Sequence, residues 1–310
     1  MKIINLVENT EGSAHCGAEH GLSYYIETKK HRILMDTGAS DLFMKNAEKL
    51  GVDLTTVDIL VLSHGHFDHG GGILAFAAIN PKAAIYVQET AFGDFYADDG
   101  EEGYRYIGLD PAIKELPQLV LVSGNLEIDE ELSLFSGIGT DCPVPDTNRR
   151  LKKKEGEEYR EDDFCHEQCL AVRQDGQLLL FSGCAHHGIL NVLKRCEEVC
   201  GQAPDAVFSG FHTMRKKGYT VEDAEFLRRM AREMAKYKTV FYTGHCTGEK
   251  PYFMLKRLLG RQIHYVHSGE TVRLAAKKSR KAEYMKWHKF FAWATVACFI
   301  LTMITGYQRK

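Results

Sequence analysis

"SHGHFDHGGG", Ser63 to Gly72, follows the apolar run "VDILVL" and leads into "ILAFAAI". It places three histidines and an aspartate within six residues, and packing alone gives no reason for that. After a strand, a tight turn aims alternate side chains into one cleft, so His64 and His66 can share one metal ion while the adjacent Asp68 and His69 face a second. Gly65 and the triplet Gly70 to Gly72 let the backbone bend closely around such a centre. The stretch reads as a metal-binding turn between a strand and a helix.

The flanking sequence repeats this grammar. Strands are expected at 2–7, 22–27, 31–36, 58–63 and 83–88, with helices at 40–51 and about 71–79. A second half has strands at 168–174, 177–183, 205–210, 239–244 and 263–268, with helices near 187–200, 220–235 and 250–259. Apolar strand runs enclosed by helices predict two sheets packed face to face with helices outside, an αββα sandwich. Several strand ends carry candidate ligands: Asp36 in "ILMDTG", Cys184, His186 and His187 in "FSGCAHHG", His212 in "FSGFH", and His245 with Cys246 in "FYTGHCTG". Ligands at the same edge of successive strands converge in space. Two charged segments, 95–111 and 143–164, read as long loops.

The chain has 310 residues, an ordinary globular composition and a formal net charge of −3. Residues 277–310 hold eight of the Lys and Arg against one Glu, so the rest of the chain is distinctly acidic and no nucleic-acid partner is expected. Nine cysteines with no paired CxxC spacing read as reduced thiols of a cytoplasmic protein. "MKIINLVENTEG" has no apolar signal segment. The other end differs: residues 290–307 are uncharged, with aromatic residues near both ends, and six Lys or Arg lie between 277 and 289. This predicts a catalytic domain over 1–276, a basic juxtamembrane linker over 277–289 and a C-terminal apolar transmembrane helix over 290–307, with the catalytic body on the cytoplasmic side.

"SHGHFDHGGG" resembles the signature of the metallo-β-lactamase superfamily. The series "EHGLSYYIE", "MDTG", "YRYIGLD", "DDFCHEQ", "GCAHHGILN", "GFH" and "TGHCTG" resembles, more narrowly, the branch of 7,8-dihydropterin-6-methyl-4-(ribofuranosyl)aminobenzene-phosphate synthase-like proteins, over about residues 1–275. The resemblance implies a binuclear site holding two divalent ions, zinc first, with manganese or iron as alternatives. His64, His66 and His186 would bind the first ion; Asp68, His69 and His245 the second; Asp36 would hold the histidine turn. His166 and His187 are rivals to His186. Much of the superfamily has a bridging aspartate where this chain has Cys184, a thiol that either ligates a metal or is an inert buried group.

The function implied is hydrolysis of a small-molecule ester, phosphoester or lactone by a metal-activated water. Asp68 would orient that water and His212 would donate to an oxyanion or phosphate. The alternative is a transferase joining a pterin to a ribosylaminobenzene phosphate. Di-iron oxygen or nitric oxide reductases of this fold carry a carboxylate where this chain has His66, which argues against a redox role.

Overall fold

The computed structural model describes residues 1–12, 15–276 and Thr295. The chain divides into two compact units, Met1–Leu274 and Ala275–Lys310. The C-terminal helix expected over 290–307 and its basic linker lie outside the described residues, apart from Thr295. Among the described residues no helix is long and apolar enough to cross a membrane.

The first unit is built on two seven-stranded sheets. In the first, the strands run in the order Thr271–Arg273, Lys2–Val7, Ser23–Glu27, Arg32–Met35, Ile59–Val61, Ala84–Gln88 and Leu119–Val122. In the second the order is Ile263–Tyr265, Val240–Thr243, Ala206–Phe208, Gln177–Ser182, Cys169–Gln174, Leu132–Phe135 and Leu126–Glu127.

Alternation along each strand divides the apolar residues between two packing surfaces. Ile33, Met35, Ile59 and Val61 of the first sheet face Leu170, Val172, Leu179, Phe181 and Phe208 of the second. There Phe181 stacks on Phe208, and Phe208 on Tyr242, with ring centroids 4.9 and 4.6 Å apart. The alternate residues Leu34, Leu60 and Ile85 pack outward against Phe43 and Phe76 of the helices Leu42–Lys49 and Ile73–Ile79. On the far side Leu178, Leu180, Val207 and Phe241 pack against Leu193, Leu227 and Leu255 of the helices Ile189–Cys200, Val221–Met234 and Glu249–Leu259. Burial on both faces is why these strands read as continuous apolar runs. The layer order is helix, sheet, sheet, helix.

Register brings the site together. Arg32–Met35, Ile59–Val61 and Ala84–Gln88 are parallel, with Met35 opposite Val61. Gln177–Ser182, Ala206–Phe208 and Val240–Thr243 are parallel too, with Phe181 level with Phe208, and Phe208 with Tyr242. The turns that follow these six strands carry almost every residue singled out from the sequence.

The two segments expected as loops are instead paired with one another. Phe95–Asp98, Tyr104–Tyr106, Leu151–Glu155 and Glu158–Glu161 form a separate four-stranded antiparallel sheet. Phe95, Ala97 and Leu151 point inward and pack with Ile107 and Phe164. On the outer face Tyr104 stacks on Tyr159 with centroids 3.8 Å apart. Dense charge hid this alternation, and the pairing partners lie some fifty residues apart. Leu119–Val122, Leu126–Glu127, Leu132–Phe135 and Thr271–Arg273 are four further strands that the apolar pattern did not reveal.

Candidate metal centre

The turn after Ile59–Val61 is held by one carboxylate. Asp36, fully buried and at a left-handed φ of 60°, accepts the Ser63 N–H on Oδ1 at 2.7 Å and the Ser63 hydroxyl on Oδ2 at 2.7 Å. The same Oδ2 takes Nδ1–H of His69 at 2.7 Å. With its single proton given to Asp36, the Ser63 oxygen must accept from Nδ1–H of His64, 2.9 Å away. Tight backbone approach completes the turn: a Cβ on Gly65 would lie 2.2 Å from the Ala91 carbonyl oxygen. One on Gly183, across the site, would lie 2.2 Å from the Ser63 hydroxyl. Besides Asp36, Ala185, His212 and His245 sit at φ between 47° and 49° at strand ends around the same site. Such conformations persist only where the surroundings over-determine them, and they cluster at functional sites.

Two sets of side chains meet inside this ring. Nε2 of His64 lies 3.3 Å from Nε2 of His186, and His66 completes that group. Nε2 of His69 lies 3.2 Å from Nε2 of His245; Oδ2 of Asp68 lies 3.4 Å from the latter and 3.9 Å from the former. All six are buried, Asp68 the least so at 8% exposed. Burial, reinforced by the neighbouring imidazoles, pushes His64 and His186 far below the ordinary histidine value. Burial alone would raise Asp68, but His69, His245 and His20 outweigh it and hold the carboxyl well below the usual range. His64 and His186 are therefore neutral imidazoles and Asp68 an ionised carboxylate, forms that bind metal. Burial lowers His245, but its bond to Asp68 and the nearby Cys246 and Glu8 outweigh that and raise it.

The donor set fits divalent ions. His69 gives its Nδ1–H to Asp36, His64 gives its own to Ser63, His186 faces Oδ1 of Asn148 at 3.1 Å and His245 faces Oδ1 of Asn9 at 2.8 Å. Those contacts place the proton on Nδ1 and leave a lone pair on every Nε2. Lone pairs 3.2–3.3 Å apart do not hydrogen-bond to each other. Two tetrahedral ligands at metal–nitrogen distances of about 2.0–2.1 Å stand about 3.3 Å apart, which is the spacing found here. Nε2 of His66 is buried without any hydrogen-bond partner.

Of the rivals to His186, His166 has both ring nitrogens bonded, while His187 has only Nδ1 engaged but joins no cluster of possible metal donors among the described residues. His166 accepts the Gly65 N–H on Nδ1 at 3.0 Å and faces Asp162 through Nε2 at 3.1 Å, so both nitrogens are used in shaping the turn. His187 bonds Oε2 of Glu167 through Nδ1 at 2.7 Å. His212 lies beside His186, with ring centroids 4.3 Å apart, and its Nδ1 is 3.0 Å from the Thr147 hydroxyl. Burial lowers its pKa to about 3, so it is neutral at ordinary pH. His20, in the loop after Lys2–Val7, places Nε2 3.3 Å from Oδ2 of Asp68. There was no signal for Glu167, whose buried carboxylate takes the His186 and His187 N–H groups at 2.7 and 3.2 Å. Asn9 and Asn148 were likewise invisible, since an asparagine in a loop carries no mark of its partner. Cys184 is buried, with Sγ 3.2 Å from Nε2 of His69.

Comparison with known proteins agrees with this geometry. Residues 16–141 match the metallo-beta-lactamase superfamily. The 7,8-dihydropterin-6-methyl-4-(beta-D-ribofuranosyl)-aminobenzene-5'-phosphate synthase of Methanocaldococcus jannaschii is 28% identical over 295 residues, covering 88% of this chain and 96% of that protein. An uncharacterized protein of the same organism is 31% identical over 280 residues, covering 86% and 98%. Among solved structures, Tm1679, a metal-dependent hydrolase of the beta-lactamase superfamily, superimposes with a TM-score of 0.75 at 26% identity, covering 89% of this chain and 99% of its own. With the histidine turn, the converging strand ends and these relatives in agreement, the chain belongs to the metallo-β-lactamase superfamily.

Proposed function

We propose that the chain is a metal-dependent hydrolase of a small-molecule ester, phosphoester or lactone. His64, His66 and His186 hold one divalent ion, and Asp68, His69 and His245 hold a second, with zinc the best match to imidazole donors. The carrying observation is the pair of Nε2 contacts at 3.3 and 3.2 Å, which bring the imidazole nitrogens of each set to the spacing of two ligands on one ion. Two divalent ions bound there lower the pKa of water and polarise the bond under attack.

The chain's own groups do the rest. Asp68, least buried of the six, orients water through its free lone pairs. The Thr147 hydroxyl gives its proton to the His212 carbonyl oxygen, so it accepts from Nδ1–H of His212. Nε2 of neutral His212 is then an acceptor, the reverse of the donor role expected from the sequence. His212 lines a cavity of about 930 Å³ together with His186, Phe164, Thr147 and Arg215, a volume suited to a small molecule. The cavity wall carries both signs of charge, Asp146, Asp163 and Asp223 beside Arg149 and Arg215, while Arg105, Arg150 and Lys216 are engaged with the carboxylate of Asp99.

A second reading is a transferase joining a pterin to a ribosylaminobenzene phosphate. It rests on the 28% identity to a protein of that name, matched over 96% of its length. Assay of the purified protein on generic phosphodiesters and lactones, beside a pterin diphosphate with the aminobenzene partner, separates the two. Turnover of the paired substrates alone selects the transferase. The anchor proposed for 290–307 is tested separately: deletion of residues 284–310 should release the protein from the membrane fraction without detergent.

A further inference from the structure

We infer that Cys184 supplies a thiolate shared by the two metal ions, taking the place of a bridging carboxylate. The inference rests on the binuclear reading above and adds a ligand to it. Its basis is position. Cys184 follows the strand Gln177–Ser182, and its Sγ groups with ligand nitrogens on both sides: with His64, which belongs to the first set, and with His69 and His245, which belong to the second. The contact to Nε2 of His69 is 3.2 Å. A sulfur within reach of imidazoles of both sets would be available to both ions when they bind.

The surroundings keep it there. Gly183 can only be glycine, because a Cβ would meet the Ser63 hydroxyl at 2.2 Å and Nδ1 of His64 at 2.9 Å. That close approach presses the next residue against the histidine turn. Cys246 groups with Cys184 and His245, but its Sγ accepts the His212 N–H at 3.3 Å and faces the Cys184 carbonyl oxygen at 3.8 Å. Cys246 is thus engaged with the neighbouring turns, and the inference assigns the shared sulfur to Cys184.

Coordination breaks the Cys184 S–H bond, and the proton leaves to solvent. A thiolate matches the single negative charge of a carboxylate but is soft, so the pair of sites selects zinc or ferrous ions over magnesium and manganese.

The test uses protein produced in cobalt-supplemented medium, so that it folds with Co(II), and reads bound cobalt together with the near-ultraviolet sulfur-to-cobalt charge-transfer band. Wild type should carry two equivalents and the band. Cys184→Ser and Cys184→Asp should lose the band, and Cys184→Asp, which restores a carboxylate, should keep two equivalents. Cys246→Ala should keep the band. A shared sulfur also keeps it when either ion is lost alone, in His66→Ala and in Asp68→Ala. Two equivalents without a band in wild type, or a band surviving in Cys184→Asp, overturns the inference. A band lost in only one of the histidine and aspartate variants makes Cys184 a ligand of one ion and overturns the bridge. Wild type that takes up no cobalt fails the binuclear reading itself, a different result from any of these.

Discussion

The strand Arg32–Met35 has a histidine–aspartate contact at each end, and the two ends do different things. At its start, His31 places Nδ1 2.5 Å from Asp58 and Nε2 2.8 Å from Asp129. At its finish, Asp36 takes Nδ1–H of His69 at 2.7 Å and leaves Nε2 to face His245. Carboxylates claim both nitrogens of His31 and only one of His69. Burial pushes His31 down, but the bonds to Asp129 and Asp58 outweigh it and raise its pKa above the ordinary value. Its chemistry is that of a cation in an ion pair; His69 is oriented and left with a lone pair to offer. A contact of one type is structural or functional according to what its second nitrogen meets.

The comparison breaks most visibly if the site end loses a donor. His66→Ala and Asp68→Ala should each abolish hydrolytic turnover and lower metal content while circular dichroism stays native. Either variant with full metal and full rate sinks the assignment of the site. Next comes the choice of third histidine: His186→Ala should lose more metal and activity than His166→Ala, because Nε2 of His186 faces His64 while both nitrogens of His166 are occupied. The reverse order would exchange their roles. Asp36→Asn keeps the shape of the holding group but removes its charge. The expected cost is about 10–100-fold in metal affinity, read by competition with a chelator.

The smallest effect belongs to the other end. The folded pKa of His31 lies above its unfolded value of about 6.5, so the stability it contributes is complete below that value and is lost as pH rises through the folded pKa. Discounted for solvent screening, His31→Gln should cost at most about 1 kcal/mol at low pH and nothing at pH well above the folded pKa. Denaturant melts of the two proteins across that range check it; a difference that grows with pH contradicts the ion pair.

Most of the sandwich was legible. "KIINLV" is the strand Lys2–Val7 as read, and "SHGHFDHGGG" turns as its composition requires. The reason is that strands buried on both faces are apolar almost throughout, which leaves an unmistakable run whether they pair in parallel or, like Lys2–Val7, antiparallel. The edge strand Leu126–Glu127 and the sheet of Phe95–Asp98 with Leu151–Glu155 left no such run. One is too short to show a period, and the other is buried on one face under a charged surface.

Residue type and local order determined by themselves that six donors stand at strand ends, since a ligand's chemistry and its place after an apolar run are both local. The partners of those donors were not local. Asn9 reaches His245 across 236 positions and Asn148 reaches His186 across 38. Tertiary packing brings these oxygens to Nδ1 of each imidazole, the facing of the two large sheets for Asn9 and the docking of the turn Asp146–Arg150 for Asn148. The tautomer, and with it the lone pair that meets a metal, was decided by tertiary structure because a proton's position on a ring depends on the acceptor it faces.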